Sequence, residues 1–588
     1  MNIVIDIETD SLKVNSPINF VGFYTKVKGD KEFFKIFSLP SEAKELRAFI
    51  KKAESKGAKW VGSNVKFDVV RLLYNLGIDL VISHDVQVLT YLNSTVDELK
   101  DNKGKWLSLK DTAIRELAVE NWDIAVKDKT SKDPNVVRPY LFKDCKYSFE
   151  LFELLKKRLP TERRKTYKLI IHAMNYTYKC MEVTGMPIDI HRLQLIKKEY
   201  LREEEKILKA LHEYATINYN SSKQLQYLLF EQLELPVVEY TKKGQASTGV
   251  SALKKLQDKH PIIPHLLAYR ENTKGLTFLN TWGDEAIKVG KQHWLHSSFN
   301  LTGTVTGRLS SSDVNLQQIP RNPKLKSLFR SNDPDWELVQ LDFSQIELRF
   351  AALVAGVEKM KEKYRDGEDL HTEMATIITG KSSADITKTE RTQAKAANFG
   401  YLYGMMAESF VDYARDTYGV VLTGDEAHVI RDNYFQAYPE LLDYYANVEN
   451  TLFSTGVITS IMQREYEVNM YKLQNPYKQQ EILRAAINFP IQSAASDYVL
   501  CSLIDVMSNK KIMDNIKPCA TIHDSIIMLV RKDQIPHVLP KIKSVMENSQ
   551  LARKMVTIDI DIPIVVDIEI GPFGRGISLE EYMEKAND

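Results

Sequence analysis

The chain has 588 residues, 44% of them apolar and 27% charged, with a formal net charge of +1. At roughly 100–200 residues per domain this length predicts three to five structural units, and the balanced charge excludes a globally basic protein, so any basic surface must be local and offset by acidic sites. No apolar run reaches the about 18 residues of a membrane span, and Asp6 interrupts the apolar start of the chain, so neither a membrane anchor nor a secretory leader is expected.

Residues 1 to 155 alternate short apolar strands with helical patterns, an α/β arrangement. In "NIVIDIETD" the strand period places Val4, Asp6 and Glu8 on one face and Ile3, Ile5 and Ile7 on the other. Two carboxylates on one face repel unless a cation lies between them, and hard divalent ions favour such oxygen ligands. "GSNVKFDVVRLLYNLG" puts Asp68 early in an amphipathic helix, and "YLFKDCKYSFELFELL" puts Tyr140 and Asp144 four residues apart on one helical face. Four carboxylates and a tyrosine suit a two-metal phosphodiester hydrolase, in which the ions clamp the attacking and leaving oxygens and the phenol orients water. Cys145 in this stretch, like Cys180, Cys501 and Cys519, belongs to no C-x-x-C pair, so reduced thiols are expected.

"RLPTERRKTYK" (158–168) reads as a domain junction, and residues 166 to 290 are mostly helical and charged. Gly-, Ser- and Thr-rich text follows at "NLTGTVTGRLSSSDVNLQQIP" (300–320). The strand-like run "VQL" (339–341) is closed by Asp342 and leads into a long helical stretch, 344–455. There Ser344-x-x-Glu347 fits a capping box, with Ser344 as N-cap and Glu347 at N3. In "KTERTQAKAANFGYLYG" Arg391, Lys395, Phe399 and Tyr403 recur every four residues: two cations that suit a triphosphate, then two rings that suit a base. Gly400 and Gly404 are expected to interrupt that helix beside the rings, which a purely structural helix would not require. Asp524, at the tip of the hairpin "CATIHDSIIMLV", is the partner candidate for Asp342.

"DIET", "NVKFD" and "YLFKD" resemble, in order, the motifs of the DEDD proofreading 3′–5′ exonucleases, tyrosine-containing branch. "DFSQIELR", "RTQAKAANFGYLYG" and "IHD" resemble the motifs of family A DNA polymerases, the bacterial DNA polymerase I group, and "MEVTGMPIDIHRL", "TVTGRLSSSDVNLQQIP", "DGEDLHTEMA" and "RAAINFPIQSAASD" fall in that family's order. The resemblance implies a multidomain α/β chain: a ribonuclease H-like exonuclease domain (1–157), then a right-hand polymerase domain (158–588) with thumb at 185–295, palm at 296–350 and 456–588, and fingers at 351–455. By resemblance Asp6, Glu8, Asp68 and Asp144 hold exonuclease metal and Tyr140 positions water. Asp342 and Asp524 hold two Mg²⁺ ions, with Mn²⁺ as a substitute, for nucleotidyl transfer. Arg391, Lys395, His371 and Gln345 contact the dNTP, with Lys395 also catalytic. Phe399 and Tyr403 shape the base-pair pocket. Arg308, Asn315, Gln317, Arg484, Asn488, Gln492 and His523 line the primer–template. Glu347 becomes a steric gate against a ribose 2′-hydroxyl, and Phe399 goes with rejection of chain terminators.

Four positions depart from the pattern, with Ser525 where the family usually has Glu, and with Phe343, Gln318 and Phe489; all four read as neutral drift. A chain starting at the exonuclease, with a compact thumb, suggests a phage-type replicative enzyme, expected to be a monomer in the host cytoplasm and open to accessory replication proteins. Three other readings stay open: an exonuclease whose C-terminal region only binds DNA, an RNA polymerase of related fold, and a non-enzymatic replication scaffold.

Overall fold

Alternating apolar residues make Asn2–Thr9 the central strand (β1) of a five-stranded sheet with β2 (Ile18–Val27), β3 (Lys31–Ser38), β4 (Lys59–Gly62) and β5 (Ile82–Asp85), in the order β3-β2-β1-β4-β5. The computed structural model describes residues 1–27, 31–101, 105–122, 131–241 and 243–587. β1 runs antiparallel to β2 and parallel to β4. Both faces of β1 are covered at its start, where Val4 and Ile5 are buried; at its far end Asp6 and Glu8 are only partly covered. Three helices carry or support the residues at the sheet's far end: α1 (Lys66–Leu76), α2 (Leu109–Leu117) and α3 (Pro134–Arg158). α3 starts on a helix-favouring Pro134 with Asp133 as N-cap and packs on β1 and β2. It can approach because Gly22, opposite Asp6, has no side chain: a Cβ there would lie 2.7 Å from Leu141 Cγ.

Beyond Arg158 the chain does not pass through a loose linker. Arg163 in the expected junction donates to Glu465 (2.6 Å) and Glu467, and to the carbonyl of Leu92 (2.6 Å). Asn175 exchanges hydrogen bonds with both backbone groups of Ile82 (2.7 and 2.8 Å), and buried Lys66 pairs with buried Glu182. One hydrophobic core therefore runs from the first sheet into the rest of the molecule. The long helices α4 (Ile190–His212) and α5 (Ile262–Glu285) pack along each other, and their far ends share a separate small core that includes Leu211, Tyr219, Leu253 and Leu266.

A second sheet forms from β6 (Trp336–Phe343), β7 (Ile516–Ile522), β8 (Ser525–Arg531) and β9 (Val566–Ile570), all antiparallel, in the order β7-β8-β6-β9. Between its strands in sequence lie α6 (Ile346–Ala355), α7 (Leu370–Thr379), α8 (Lys388–Leu402), α9 (Ala407–Tyr418), α10 (Glu440–Thr455) and α11 (Pro476–Ser508). Among the described residues no helix is long and apolar enough to cross a membrane.

Two local expectations are corrected. The capping box at Ser344 does not form: Ser344 N–H donates to the Val565 carbonyl (2.9 Å), the extended chain runs on, and α6 starts after Gln345, whose φ is 53° and whose side chain makes no cap bond. Gly400 does not interrupt α8 but lies within it; a Cβ there would meet the Phe410 ring of α9 at 2.8 Å, so the glycine serves helix packing. Gly404, with φ of 71°, does follow the end of α8.

Candidate active sites

The first site forms where β1, α1, α2 and α3 converge. Carboxylate oxygens of Asp6, Glu8 and Asp144 lie within 4.8 Å of one another. Asp68, on the first turn of α1 and buried, accepts the Ile7 N–H (2.9 Å), which ties it to β1 between the other two acids. Burial first, then the charges of Asp68, Asp144 and Glu8, push the Asp6 carboxyl well above the usual carboxylate range. Burial raises Asp68 as well, against the Ile7 hydrogen bond. Four hard oxygen donors whose mutual repulsion is this strong fit a divalent cation. Tyr140 and Asp144 lie one turn apart on α3 as expected, both buried.

Sequence reasoning missed two partners here. Lys110, on the first turn of α2, donates to Tyr140 Oη (3.0 Å) and Asp144 Oδ2 (2.9 Å), and Trp122 Nε1 donates to Asp144 Oδ1 (2.6 Å). No periodicity could reveal either, because both contacts depend on how α2 and Trp122 pack against α3.

The second site is at one end of the β7-β8-β6-β9 sheet. Ile522 pairs with Ser525 across a two-residue turn that holds His523, at φ of 53°, and Asp524. Ser525 pairs with Asp342, and Phe343 N–H reaches the Asp524 carbonyl (3.4 Å), so the two aspartates end up side by side, from positions far apart in sequence. Burial raises both carboxyls above their ordinary range, each charge raises or is raised by a neighbouring acid, and Arg308, Lys326 and His523 pull the other way. This oxygen pair also fits divalent ions. The Ser525 hydroxyl donates to Asp342 Oδ1 and accepts from Gln340 Nε2 (3.2 Å), so it is not an idle replacement. Phe343 and Phe489 are core residues, packed on Tyr498 and Tyr466.

Along α8 and its C-cap Tyr403, Arg391, Lys395, Phe399 and Tyr403 occupy the less buried face, while Ala394, Ala397, Asn398 and Tyr401 are buried behind them. A capping box from Thr387 and Glu390 fixes where this stripe begins. Asp369, which the sequence reading passed over, organises its cationic end: it takes two hydrogen bonds from Arg391 (2.8 and 3.2 Å), one from Gln345 (2.8 Å), and caps α7 through Thr372 N–H (2.9 Å). Burial would raise its carboxyl, but these bonds hold it far below the usual range. His371 is buried beside Asn398 (3.0 Å), and burial pulls its imidazole down to about 4, so it is neutral at pH 7. At the aromatic end, Tyr403 Oη donates to Glu347 Oε2 (2.6 Å) and Arg308 pairs with Oε1, so Glu347 is fixed against both.

Arg484, Asn488 and Gln492 form a partly or fully exposed stripe along α11. Gln317 binds the turn itself, accepting from His523 N–H (2.8 Å) and donating to the Thr521 carbonyl, and Asn315 caps the short turn that carries Gln317.

Residues 190–573 match the family model described as DNA polymerase family A. The chain is 32% identical over 406 residues to DNA polymerase I of Geobacillus stearothermophilus, covering 67% of this chain and 44% of that one. It is 25% identical over 595 residues to the DNA polymerase of Bacillus phage SP01, covering 88% and 63%. The chain thus spans about half the length of the curated relatives it matches. Its fold superimposes with a TM-score of 0.81 on the POL domain of Pol1 from M. smegmatis in complex with DNA primer-template and dNTP, at 22% identity, over 97% of this chain and 95% of the other.

Proposed function

Because the chain belongs to DNA polymerase family A, we propose that it extends a primer 3′ end with dNTPs on a DNA template and removes misincorporated ends with a separate 3′–5′ exonuclease centre. The observation that carries the synthetic half is the meeting of Asp342 and Asp524 at one sheet end, with Tyr403, at the end of the α8 stripe, and Arg308 both within electrostatic reach of Asp524. In this reading Arg391 and Lys395 bind the triphosphate, with Asp369 and Gln345 holding the Arg391 fork in place before it arrives. Phe399 and Tyr403 flank the nascent base pair. The primer 3′-oxygen attacks the α-phosphorus and pyrophosphate leaves. Glu347, locked between Tyr403 and Arg308, closes the space beside the sugar. Arg484, Asn488 and Gln492 contact the duplex without reading its sequence. Mg²⁺ bound at each carboxylate cluster would activate the attacking oxygen and stabilise the leaving one.

In the exonuclease half, Asp6, Glu8, Asp68 and Asp144 are the ion ligands and Tyr140 orients the attacking water. The test is primer extension with matched and mismatched 3′ ends, with dNTPs and rNTPs in parallel. Extension of matched ends by dNTPs, and trimming of mismatched ends before extension, are expected. A protein that trims but never extends would leave a nuclease with a DNA-binding C-terminal region.

A further inference from the structure

Lys110 sits at the second position of α2, behind the N-cap Ser108. The positive end of a helix dipole disfavours a cation there. Among the described residues, its partners include Tyr140 and Asp144 on α3. The ammonium is 2.9 Å from Asp144 Oδ2 and 3.0 Å from Tyr140 Oη, and it lies over the Tyr140 ring at 4.8 Å and the Trp122 ring at 5.5 Å. Its side chain keeps 21% exposure and that of Asp144 only 6%. A cation held this closely is part of the carboxylate cluster of Asp6, Glu8 and Asp144.

The hydrogen-bond chemistry gives the contact a direction. An ammonium only donates, so Tyr140 Oη must accept from Lys110, which turns the phenol's own hydrogen to other acceptors. Asp144 is held at both oxygens, by Lys110 and by Trp122 Nε1. We propose that Lys110 is a positioning residue of the exonuclease centre: it fixes Tyr140 as a hydrogen-bond donor and shares Asp144 with the divalent ion, so that ion binding is weaker than the acids alone would make it. The assignment rests on the exonuclease reading above. Its consequence is a centre whose ion affinity is set partly by a protein cation.

The experiment uses the full chain and Tb³⁺ as the probe. Trp122 touches Asp144, so its sensitised Tb³⁺ luminescence reports this cluster, and Trp122→Phe identifies that signal by removing it. Removing one positive charge this close to the ligands should lower the Tb³⁺ midpoint about tenfold in Lys110→Met and Lys110→Gln, while Lys110→Arg stays near the parent value. In the same two variants, hydrolysis of a single-stranded 3′ end at saturating Mg²⁺ should fall at least about tenfold, with partial rescue by Lys110→Arg. A midpoint that is unchanged or higher in both neutral variants overturns the shared-ligand assignment. A full rate in both overturns the Tyr140 role. A parent chain that binds Tb³⁺ but degrades no 3′ end counts against the exonuclease reading itself and is distinguishable from either. Lys110→Gln covers the case in which Lys110→Met fails to fold.

Discussion

Glu347 shows how one carboxylate is given a role by its neighbours. In sequence it is three residues from Ser344 and could have been spent on a helix cap; in the fold it receives Tyr403 Oη and Arg308 instead. Glu347→Ala should therefore admit rNTPs, raising their kcat/KM relative to dNTPs by at least about tenfold, the loss of at least about 1.4 kcal/mol of discrimination. A purely structural residue would lower the melting temperature and leave the sugar preference intact. At the other centre, burial and neighbouring acids raise Asp6. A carboxyl with a raised folded pKa favours the folded state below its unfolded pKa, about 4, and that contribution is lost as pH rises through the folded value. In chelator, Asp6→Asn should thus melt higher than the parent at pH 8, with the gap closing towards pH 4. Mg²⁺ at pH 8 should raise the melting temperature of the parent by more than that of the variant, which keeps the Asp342–Asp524 pair. The acids themselves were legible from strand and helix periodicity. Lys110, Ser525 and Asp369 were not, since each acts across elements whose packing no local pattern encodes.

At the scale of elements, small residues set distances between larger pieces. Gly22 lets α3 settle on β2 with Leu141 against the strand, which brings Tyr140 and Asp144 over Asp6. Gly22→Val should push α3 outward, cost about 1–3 kcal/mol of stability, and reduce 3′-end trimming at least about tenfold while primer extension persists; the two rates measured on the same preparation check it. Gly400 plays the matching part between α8 and α9, where the sequence reading took the glycine for a helix break. Glycine inside a helix marks either a break or a close neighbour, and only the position of Phe410 decides between them. The α8 stripe itself was readable, because four residues per repeat nearly matches the helical period whatever packs behind it. The start of α6 was not: the Ser344–Val565 hydrogen bond that delays it comes from the residue just before β9, more than two hundred residues on.

The whole molecule joins two carboxylate centres through one continuous core. Arg163, Asn175 and the buried Lys66–Glu182 pair fasten the first sheet to the rest, so the segment that reads as a domain junction is a fixed joint. Proline and a run of basic residues made it resemble a junction; the acids that hold Arg163 lie some three hundred residues away and left no local sign. The order of elements and the α/β character were visible in the chain because each depends on local periodicity, and the two sets of three motifs through their family resemblance. The account's central claim is that one centre synthesises and the other degrades. The most direct measurement compares the parent with Asp342→Asn and Asp144→Asn on a primer ending in a mismatch, with Mg²⁺ and dNTPs. The account predicts that Asp342→Asn shortens the primer without extending it, that Asp144→Asn leaves the mismatch in place, and that the parent trims and then extends to full length. Extension by Asp342→Asn at the parent's rate, or trimming by Asp144→Asn at the parent's rate, would contradict it.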